Sequence, residues 1–208
     1  MAQNRVFASL TKLLALLACA VILRATASIV WVYRDYFPPN FAAEFLIGRQ
    51  AYFYGLYGAA FYVHIVAGPI CLLAGLALLV DARRGRPARW HKAVGRMTGV
   101  LVLLAVAPSG LVMAFRAPGI VSGSGFAALA VVTGASAGLG WRSAVRRRFA
   151  DHERWMQRTY ALLGSAVVLR GIGGAAAVLE LEGTYPIAAW VSWLAPLALL
   201  EAARFTRR

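Results

Sequence analysis

The chain has 208 residues, of which 61% are hydrophobic and only 14% charged, and its formal net charge is +14. A soluble domain of this length would carry about 25% charged residues, so a soluble enzyme or binding module is excluded. The apolar residues fall into blocks of about 20, the length of helix that crosses a bilayer. The composition therefore predicts an all-α, polytopic membrane protein that forms a single transmembrane domain over residues 1–208.

Hydropathy predicts six spans, at approximately 10–33, 57–80, 94–114, 124–141, 157–179 and 185–203. The first span follows two basic residues, as the apolar part of a signal peptide does. It is too long for that role and no small-residue cleavage site follows it, so a retained helix is predicted. Pro69 in the second span and Pro108 in the third are expected to kink their helices.

Basic residues alternate between the two sides of the membrane. Segments 81–96 and 142–158 each carry six of them and further ones lie near both termini, whereas the remaining connectors carry few. The positive-inside rule then predicts that both termini are cytoplasmic, and an odd number of spans would break the alternation. Such arginines also attract anionic lipids. No soluble segment is large enough for nucleic-acid recognition, so membrane lipids are the expected partners.

Three ionisable residues, Arg24, His64 and Arg170, lie within predicted spans. Each costs about 2.5 kcal/mol or more at membrane depth, so such residues usually face a functional interior. All three are expected in the outer half of the bundle, with Tyr57 and Tyr62 near enough to line the same cavity. Because no membrane-depth carboxylate accompanies them, they predict a site for an anionic amphiphile, such as a lipid, or for a small organic anion. The structural alternative is that the arginines bind helix-end carbonyls or extend to the membrane surface.

Segment 34–56 is the only long connector. It is expected either to lie along the outer surface or to fold over the mouth of the bundle as a lid. The fourth and fifth spans are rich in glycine and other small residues, which predicts close helix packing. A face of small residues also leaves room for a flat ligand.

Two similar phrases precede the third and fifth spans on the predicted cytoplasmic side. Each contains a histidine followed by an arginine, with a tryptophan nearby; they supply His91, Arg96, His152, Trp155 and Arg158. If the phrases converge, the two imidazoles could ligate one haem b and the arginines could bind its propionates, or the site could serve a quinone. The alternative is that each histidine is bonded to a helix end.

Other reaction classes find no support in the sequence. It contains no Gly-x-Ser-x-Gly elbow, zinc-protease motif, P-loop or carboxylate pair, so a hydrolase or transferase is not expected. An enzymatic activity, if present, would be that of a membrane oxidoreductase.

The two cysteines, Cys19 and Cys71, lie far apart within spans, so neither a disulfide nor a thiolate metal site is predicted. A structural or interaction subunit is a further alternative, and self-association of the chain is left open.

The order of these phrases resembles a known family. The second span reads His64-Ile-Val-Ala-Gly-Pro69, the third opens His91-Lys-Ala-Val-Gly-Arg96, and the fifth contains His152-Glu-Arg-Trp-Met-Gln-Arg158 and later Arg170. The pattern over residues 57–180 is similar to the uncharacterised bacterial membrane proteins grouped as domain of unknown function 2306. The resemblance implies an integral membrane protein, with His64, His91, Arg96, His152, Arg158 and Arg170 as its characteristic polar positions. It implies no particular activity.

Overall fold

The computed structural model describes residues 2–85 and 88–206, with side chains from Leu13 onwards except that of Glu44. Arg86, Arg207 and Arg208, which belong to the predicted basic segments, lie outside the described residues. Every regular element within the described part is helical. The α-helices are α1 (Ala2–Val32), α2 (Gln50–Phe53), α3 (Leu56–Ala82), α4 (Arg89–Leu101), α5 (Ala107–Ala114), α6 (Gly119–Val145), α7 (Phe149–Leu163), α8 (Ser165–Val178) and α9 (Tyr185–Phe205).

Among the residues that the structure describes, six helical segments are long and apolar enough to cross a membrane, which confirms the predicted number of spans and the all-α class. The helical state follows from the solvent, because lipid offers no partner for a backbone N–H or C=O and a helix pairs these groups internally. The segments are Leu13–Tyr36, Leu56–Ala82, Arg89–Ala114, Gly119–Val145, Phe149–Val178 and Tyr185–Phe205.

Several helices extend beyond the predicted ends. The fifth span begins at Phe149 rather than near residue 157, and the third begins at Arg89 rather than near residue 94. Hydropathy detects only the apolar part of a span, whereas these helices start with a charged, amphipathic turn that belongs to the interface. The connectors that precede these two spans are correspondingly short.

The third span is interrupted where the sequence predicts a kink. A π-helical segment, Val102–Val106, joins α4 to α5, and Pro108 is the second residue after it. Proline has no N–H to donate, and its ring would collide with the carbonyl of Leu104 in a regular α-helix. The wider π-turn is a common way of absorbing such a conflict. The second span, in contrast, remains one helix across Pro69.

Helix α6 packs closely against α5, α7 and α9. Its small residues make this possible, as the fourth-span glycines predict. A Cβ added at Gly140 would stand only 2.7 Å from the sulfur of Met156 on α7, so an alanine there would require the Met156 side chain to move.

The glycines of the fifth span do not pack in this way. A Cβ added at Gly171, Gly173 or Gly174 would meet no atom within 4 Å. The prediction that these glycines of α8 allow close packing against another helix of the same chain is therefore wrong. The neighbouring helix α1 makes limited contact with α3 and α8, and most of its described side chains are at least partly exposed.

Residues 33–55, here called the cap, fold over one end of the bundle. Leu46 is 0% exposed and Phe53 is 2% exposed, because both pack in an aromatic cluster with the first turns of α3. The hydroxyl of Tyr62 donates to the carbonyl of Tyr36 at 2.9 Å and ties the cap to that helix. Of the two expected arrangements, the structure therefore shows the one that covers the mouth. We call this end of the bundle the capped end, and the opposite end, which carries connectors 83–88 and 146–148, the basic end.

Candidate functional site

A cavity of about 270 Å³ lies beneath the cap, and all six spans contribute to its wall. This volume is close to the lower limit of small-molecule sites, which span roughly 300–1,000 Å³. Most of the wall is apolar, with large contributions from Ile29, Phe61, Leu72, Leu162 and Leu169. The remaining polar side chains are few, and their chemistry determines what the cavity can hold.

Three arginines line the cavity: Arg49 from the cap, Arg116 from the turn after α5, and Arg170 from α8. The Arg49 guanidinium lies 4.5 Å from the ring centre of Phe45. Its Nε also donates to the hydroxyl of Tyr57, 3.1 Å away. Aromatic faces and a neutral hydroxyl hold this cation in place without neutralising its charge.

Among the described side chains, the other two arginines likewise have no carboxylate partner. The Arg116 guanidinium lies 5.0 Å from the ring centre of Tyr52. Arg170 interacts electrostatically with Tyr33, which also lines the cavity. None of the described residues that line the cavity carries a carboxylate. At about 1.5 Å per residue, Arg170 lies roughly 12 Å below the capped end of α8, so its charge is within the membrane-spanning region.

His64 is held in a defined orientation in the same wall. Its Nδ1 is 3.0 Å from the hydroxyl oxygen of Ser109. That hydroxyl lies 2.6 Å from the carbonyl of Ala105, and with its hydrogen directed there it accepts a hydrogen bond from Nδ1–H. Cε1 faces Gly110, where an added Cβ would stand 3.2 Å away. In this tautomer Nε2 is the unprotonated ring nitrogen.

Serine, threonine and further tyrosine side chains complete the polar part of the wall. Thr26 and Thr133 each donate to the carbonyl four residues earlier in their own helix, at 2.7 Å. Ser165, Ser192, Tyr36 and Tyr185 also line the cavity. Ser192 is 1% exposed, and its hydroxyl oxygen has no hydrogen-bond partner among the described residues.

The structure brings together three of the five residues predicted for this site. Arg170, His64 and Tyr57 line the cavity, as the sequence predicts. Arg24 does not line it and is exposed on α1, although Thr26 and Ile29 on the same helix do contribute. Tyr62 is not part of the wall either, because its hydroxyl is directed to the cap.

The residues predicted for the cytoplasmic site at the basic end have separate partners. Nδ1 of His91 lies 3.1 Å from a carboxylate oxygen of Asp81, which is 2% exposed and also accepts the backbone N–H of Ala88. Nδ1 of His152 lies 2.9 Å from the carbonyl of Gly140 on α6. Among the described side chains, no hydrogen bond or ion pair joins one phrase to the other.

The arginines of these phrases were predicted to bind haem propionates, but in the structure their described contacts are with other groups. Arg158 binds both carboxylate oxygens of Glu201 on α9, at 2.7 and 2.9 Å, and its guanidinium lies 4.6 Å from the ring centre of Trp155. Arg204 donates to the same carboxylate at 3.0 Å. Arg96 is exposed. Within the described part of the chain, no group of three or more histidine, cysteine or acidic side chains is arranged to hold a metal ion.

Sequence reasoning missed several of these contributors. Arg49 and Arg116 were treated only as charges of the outer connectors, yet both reach the cavity. A usable signal is that each lies near aromatic residues on a side of the membrane that is otherwise poor in arginine. Asp81 was also missed, although it is the only carboxylate in a connector with six basic residues.

Comparisons with known proteins give one match. Neither the curated proteins nor the solved structures yield a match to this chain. A family described as "Predicted membrane protein (DUF2306)" matches residues 61–203, well over half of the chain. The matched range begins just before His64, includes the five spans from the second to the sixth, and contains two of the three cavity arginines. The chain therefore belongs to the DUF2306 family of predicted membrane proteins.

Proposed function

We propose that the cavity beneath the cap binds an anionic amphiphile, such as a lipid-derived acid, or a small organic anion. The observation that carries the proposal is the presence of Arg49, Arg116 and Arg170 in one wall whose described residues include no carboxylate. Arg49 is half-buried and Arg170 lies at membrane depth, where a cation needs a counter-charge, and the described residues of the wall supply none. A bound anion would fill that role.

The apolar remainder of the wall favours an amphiphile over an inorganic ion. Two of the cations, Arg49 and Arg116, lie near the capped end, whereas Ser165, Leu162 and Leu72 lie deeper in the bundle. An acid with a hydrocarbon part could place its charge among the guanidiniums and its apolar part against these deeper side chains. Arg170 is both exposed and part of the wall, which supports lateral entry of a membrane-dissolved ligand beside α8.

Competition between matched ligands tests this function. A fluorescent polyene fatty acid is bound to the purified protein in mild detergent, and then displaced by dodecanoate or by dodecanol. We expect dodecanoate to displace it at a concentration about tenfold or more below that of dodecanol, because only the acid forms charge-assisted hydrogen bonds with arginine. Equal displacement by the two compounds would mean that the arginines do not select an anion.

A membrane redox function with haem b or a quinone is the second candidate. It is favoured by the way His91 and His152 use Nδ1 for a hydrogen bond, which leaves Nε2 of each ring available as a ligand. Such outer hydrogen bonds are usual for metal-bound histidine. The engagement of Arg158 by Glu201 counts against its binding a haem propionate. A Soret band after reconstitution with haemin, lost in His91→Ala and His152→Ala, is the expected sign of haem binding. A colourless product would exclude it.

We also propose that the basic end faces the cytoplasm of a bacterial cell and that the capped end faces outward across the cytoplasmic membrane. The distribution of basic residues supports this orientation, since the connectors of the basic end carry most of them. Six crossings would place the two termini on the same side. In this orientation the cavity lies in the outer half of the bilayer.

A further inference from the structure

The positive charge of the cavity wall exceeds what a single carboxylate can balance. Arg49, Arg116 and Arg170 line the cavity, and none of the described residues of the wall carries a negative charge. At the basic end, in contrast, Arg158 binds both carboxylate oxygens of Glu201. A bound monocarboxylate would balance one of the three cavity arginines and leave two. An acid group with two negative charges therefore complements this wall better.

Two of the cations are held beside one aromatic pair at the capped end. The rings of Tyr52 and Tyr57 pack edge to face, with their centres 5.1 Å apart. The guanidinium of Arg116 lies over the ring of Tyr52, and Nε of Arg49 donates to the hydroxyl of Tyr57. Because the aromatic residues hold both guanidiniums without neutralising them, the mutual repulsion of the two charges persists until an anion binds.

Arg170 adds the third cation from lower in the wall. Its backbone lies roughly 12 Å below Val178, the last residue of α8 at the capped end. Its guanidinium nevertheless interacts electrostatically with Tyr33, the first residue of the cap. Long arginine side chains in membrane helices extend towards the membrane surface in this way. The interaction with a cap residue indicates that the charge of Arg170 lies nearer to the mouth than its backbone does.

Tyrosine side chains accompany these cations in the wall. Tyr57 and Tyr185 interact electrostatically with Arg49, as Tyr33 does with Arg170, and all three tyrosines line the cavity. Guanidiniums only donate hydrogen bonds, and a phenolic hydroxyl has one hydrogen to donate. A carboxylate offers two acceptor oxygens to such a set of donors, whereas a phosphate monoester offers three.

We infer that the acid group of the ligand is a phosphate monoester, so that the ligand is an amphiphile with a doubly charged phosphate head. A phosphate monoester carries a charge of about −1.5 to −2 at pH 7, and arginine binds its oxygens in bidentate fashion. The inference rests on the proposed function, because it concerns the same cavity and assumes that its arginines bind an anion. The apolar side chains deeper in the wall hold the hydrocarbon part.

The test displaces the fluorescent fatty acid with two ligands that differ by one charge, dodecyl phosphate and dodecyl methyl phosphate. Both have the same chain and a tetrahedral phosphate, but the methyl ester remains a monoanion. At about pH 7.5 we expect the wild-type protein to bind dodecyl phosphate about tenfold more tightly than the methyl ester. At about pH 5 dodecyl phosphate is mainly a monoanion, because its second pKa is about 6, and the ratio should fall to about two.

Titration of the wall itself does not explain such a fall. Among the described residues of the wall, His64 is the one of a type that titrates between these pH values. Protonation of its ring would add a positive charge and strengthen the preference for a dianion. A ratio that falls at low pH therefore reports the charge of the ligand.

Arg116→Gln should lower the ratio at about pH 7.5 to about threefold or less, since it removes one of the cations that face the second charge. Arg34→Gln is the matched control, because Arg34 is also exposed and lies 4.5 Å from the ring centre of Trp31, but does not line the cavity. It is expected to preserve the wild-type ratio. Each ratio is measured on one protein sample, so a partial loss of folded protein does not affect it.

If dodecyl phosphate binds no better than its methyl ester, or if Arg116→Gln retains the full preference, the wall does not recognise a second charge and the inference is wrong. The proposed function then still stands if dodecanoate displaces the probe better than dodecanol does. Displacement by inorganic phosphate at the same concentration as dodecyl phosphate would show that the cavity takes free phosphate, which also contradicts the inference. If no anion displaces the probe better than dodecanol, the proposed function fails and the inference fails with it.

Discussion

At the scale of single residues, contacts on two sides fix the position of the His64 imidazole. Ser109 fixes Nδ1 as the donor, and the absence of a side chain at Gly110 makes room for Cε1. Replacement of Gly110 by alanine would place a Cβ 3.2 Å from Cε1, so that the ring must shift by a few tenths of an ångström.

We therefore expect Gly110→Ala to weaken binding of the fluorescent fatty acid several-fold without a large loss of thermal stability. Gly173→Ala is the matched control, because an added Cβ there meets no atom within 4 Å and Gly173 does not line the cavity. Titration of the probe against both purified variants measures the effect. Wild-type affinity in Gly110→Ala would show that the position of His64 does not matter for binding.

Asp81 has a structural role that can be separated from ligand binding. Its buried carboxylate accepts from the N–H of Ala88 and from His91, and thereby fixes the connection between α3 and α4. Asp81→Ala removes both acceptors and should lower the free energy of unfolding by about 1–3 kcal/mol. Asp35→Ala, which removes a half-exposed carboxylate at the capped end, should change it by no more than about 0.5 kcal/mol.

Thermal denaturation followed by size-exclusion chromatography would compare these two variants. Equal melting temperatures for Asp81→Ala and the wild type would contradict the structural role of the carboxylate. Retention of probe binding by folded Asp81→Ala is expected, since Asp81 lies at the opposite end of the bundle from the cap.

The structure places Arg170 and His64 in the cavity wall and Arg24 outside it. Hydropathy gives the depth of a residue in a span, and Arg24 is indeed near the middle of Leu13–Tyr36. It does not give the direction of the side chain, because a membrane helix can be apolar on every face and then lacks the polar stripe that orients a soluble helix. The direction is fixed only by packing against other helices.

At the scale of helices, Glu201 joins α7 to α9. It accepts two hydrogen bonds from Arg158 and one from Arg204 on its own helix. Arg204 in turn donates to the carbonyl of Arg154 and to Gln157, so the C-terminal helix is held at several points. This network explains the position of Arg158 without a cofactor.

Removal of the Glu201 carboxylate should therefore loosen α9. We expect Glu201→Ala to lower the unfolding free energy by about 1 kcal/mol, since the carboxylate is partly exposed, and to speed proteolysis near Phe205. Glu153→Ala, which removes an exposed carboxylate bonded to Gln157 on α7, is the control and should have little effect. Unchanged proteolysis in Glu201→Ala would show that the network does not hold the helix.

The packing of the cap could not be predicted from the hydropathy of the sequence. The sequence predicts residues 34–56 as the only long connector, and aromatic residues near a membrane surface are typical of an interfacial belt. In the structure, Tyr36, Phe53 and Phe61 instead pack against one another and cover the cavity. Burial among aromatic residues that are distant in sequence has no periodic signature, so hydropathy cannot distinguish a belt from a cap.

For the whole molecule, the even number of spans and the basic connectors define a test of orientation. Single cysteines are introduced at Ala42 in the cap and at Ala150 at the basic end, both exposed, after replacement of Cys19 and Cys71. A membrane-impermeant maleimide added to intact cells should label position 42 and leave position 150 unlabelled until the cells are lysed. Labelling of position 150 from outside would reverse the proposed orientation.

The number of spans and the helical class could be predicted because bilayer thickness imposes them on any apolar chain. The cavity could be predicted only in part. Its ionisable residues within spans could be recognised because they interrupt apolar segments. Arg49 and Arg116, in contrast, reach the cavity through the folding of connectors. That the Ser192 hydroxyl finds no hydrogen-bond partner among the described residues depends on contacts between three-dimensional neighbours, which leave no mark in the sequence.

The central claim is that Arg170 binds the acid group of a ligand in the cavity. The most direct measurement is the affinity of the fluorescent fatty acid for four purified proteins: wild type, Arg170→Ala, Arg170→Lys and Arg24→Ala. Arg24 is the matched control because it is also an arginine within a span but does not line the cavity. We expect Arg170→Ala to bind at least about tenfold more weakly while remaining folded, because a charge-assisted hydrogen bond is lost. Arg170→Lys should show an intermediate loss, since an ammonium lacks the planar fork of arginine, and Arg24→Ala should match the wild type. Wild-type affinity in folded Arg170→Ala, or an equal loss in Arg24→Ala, would contradict the account.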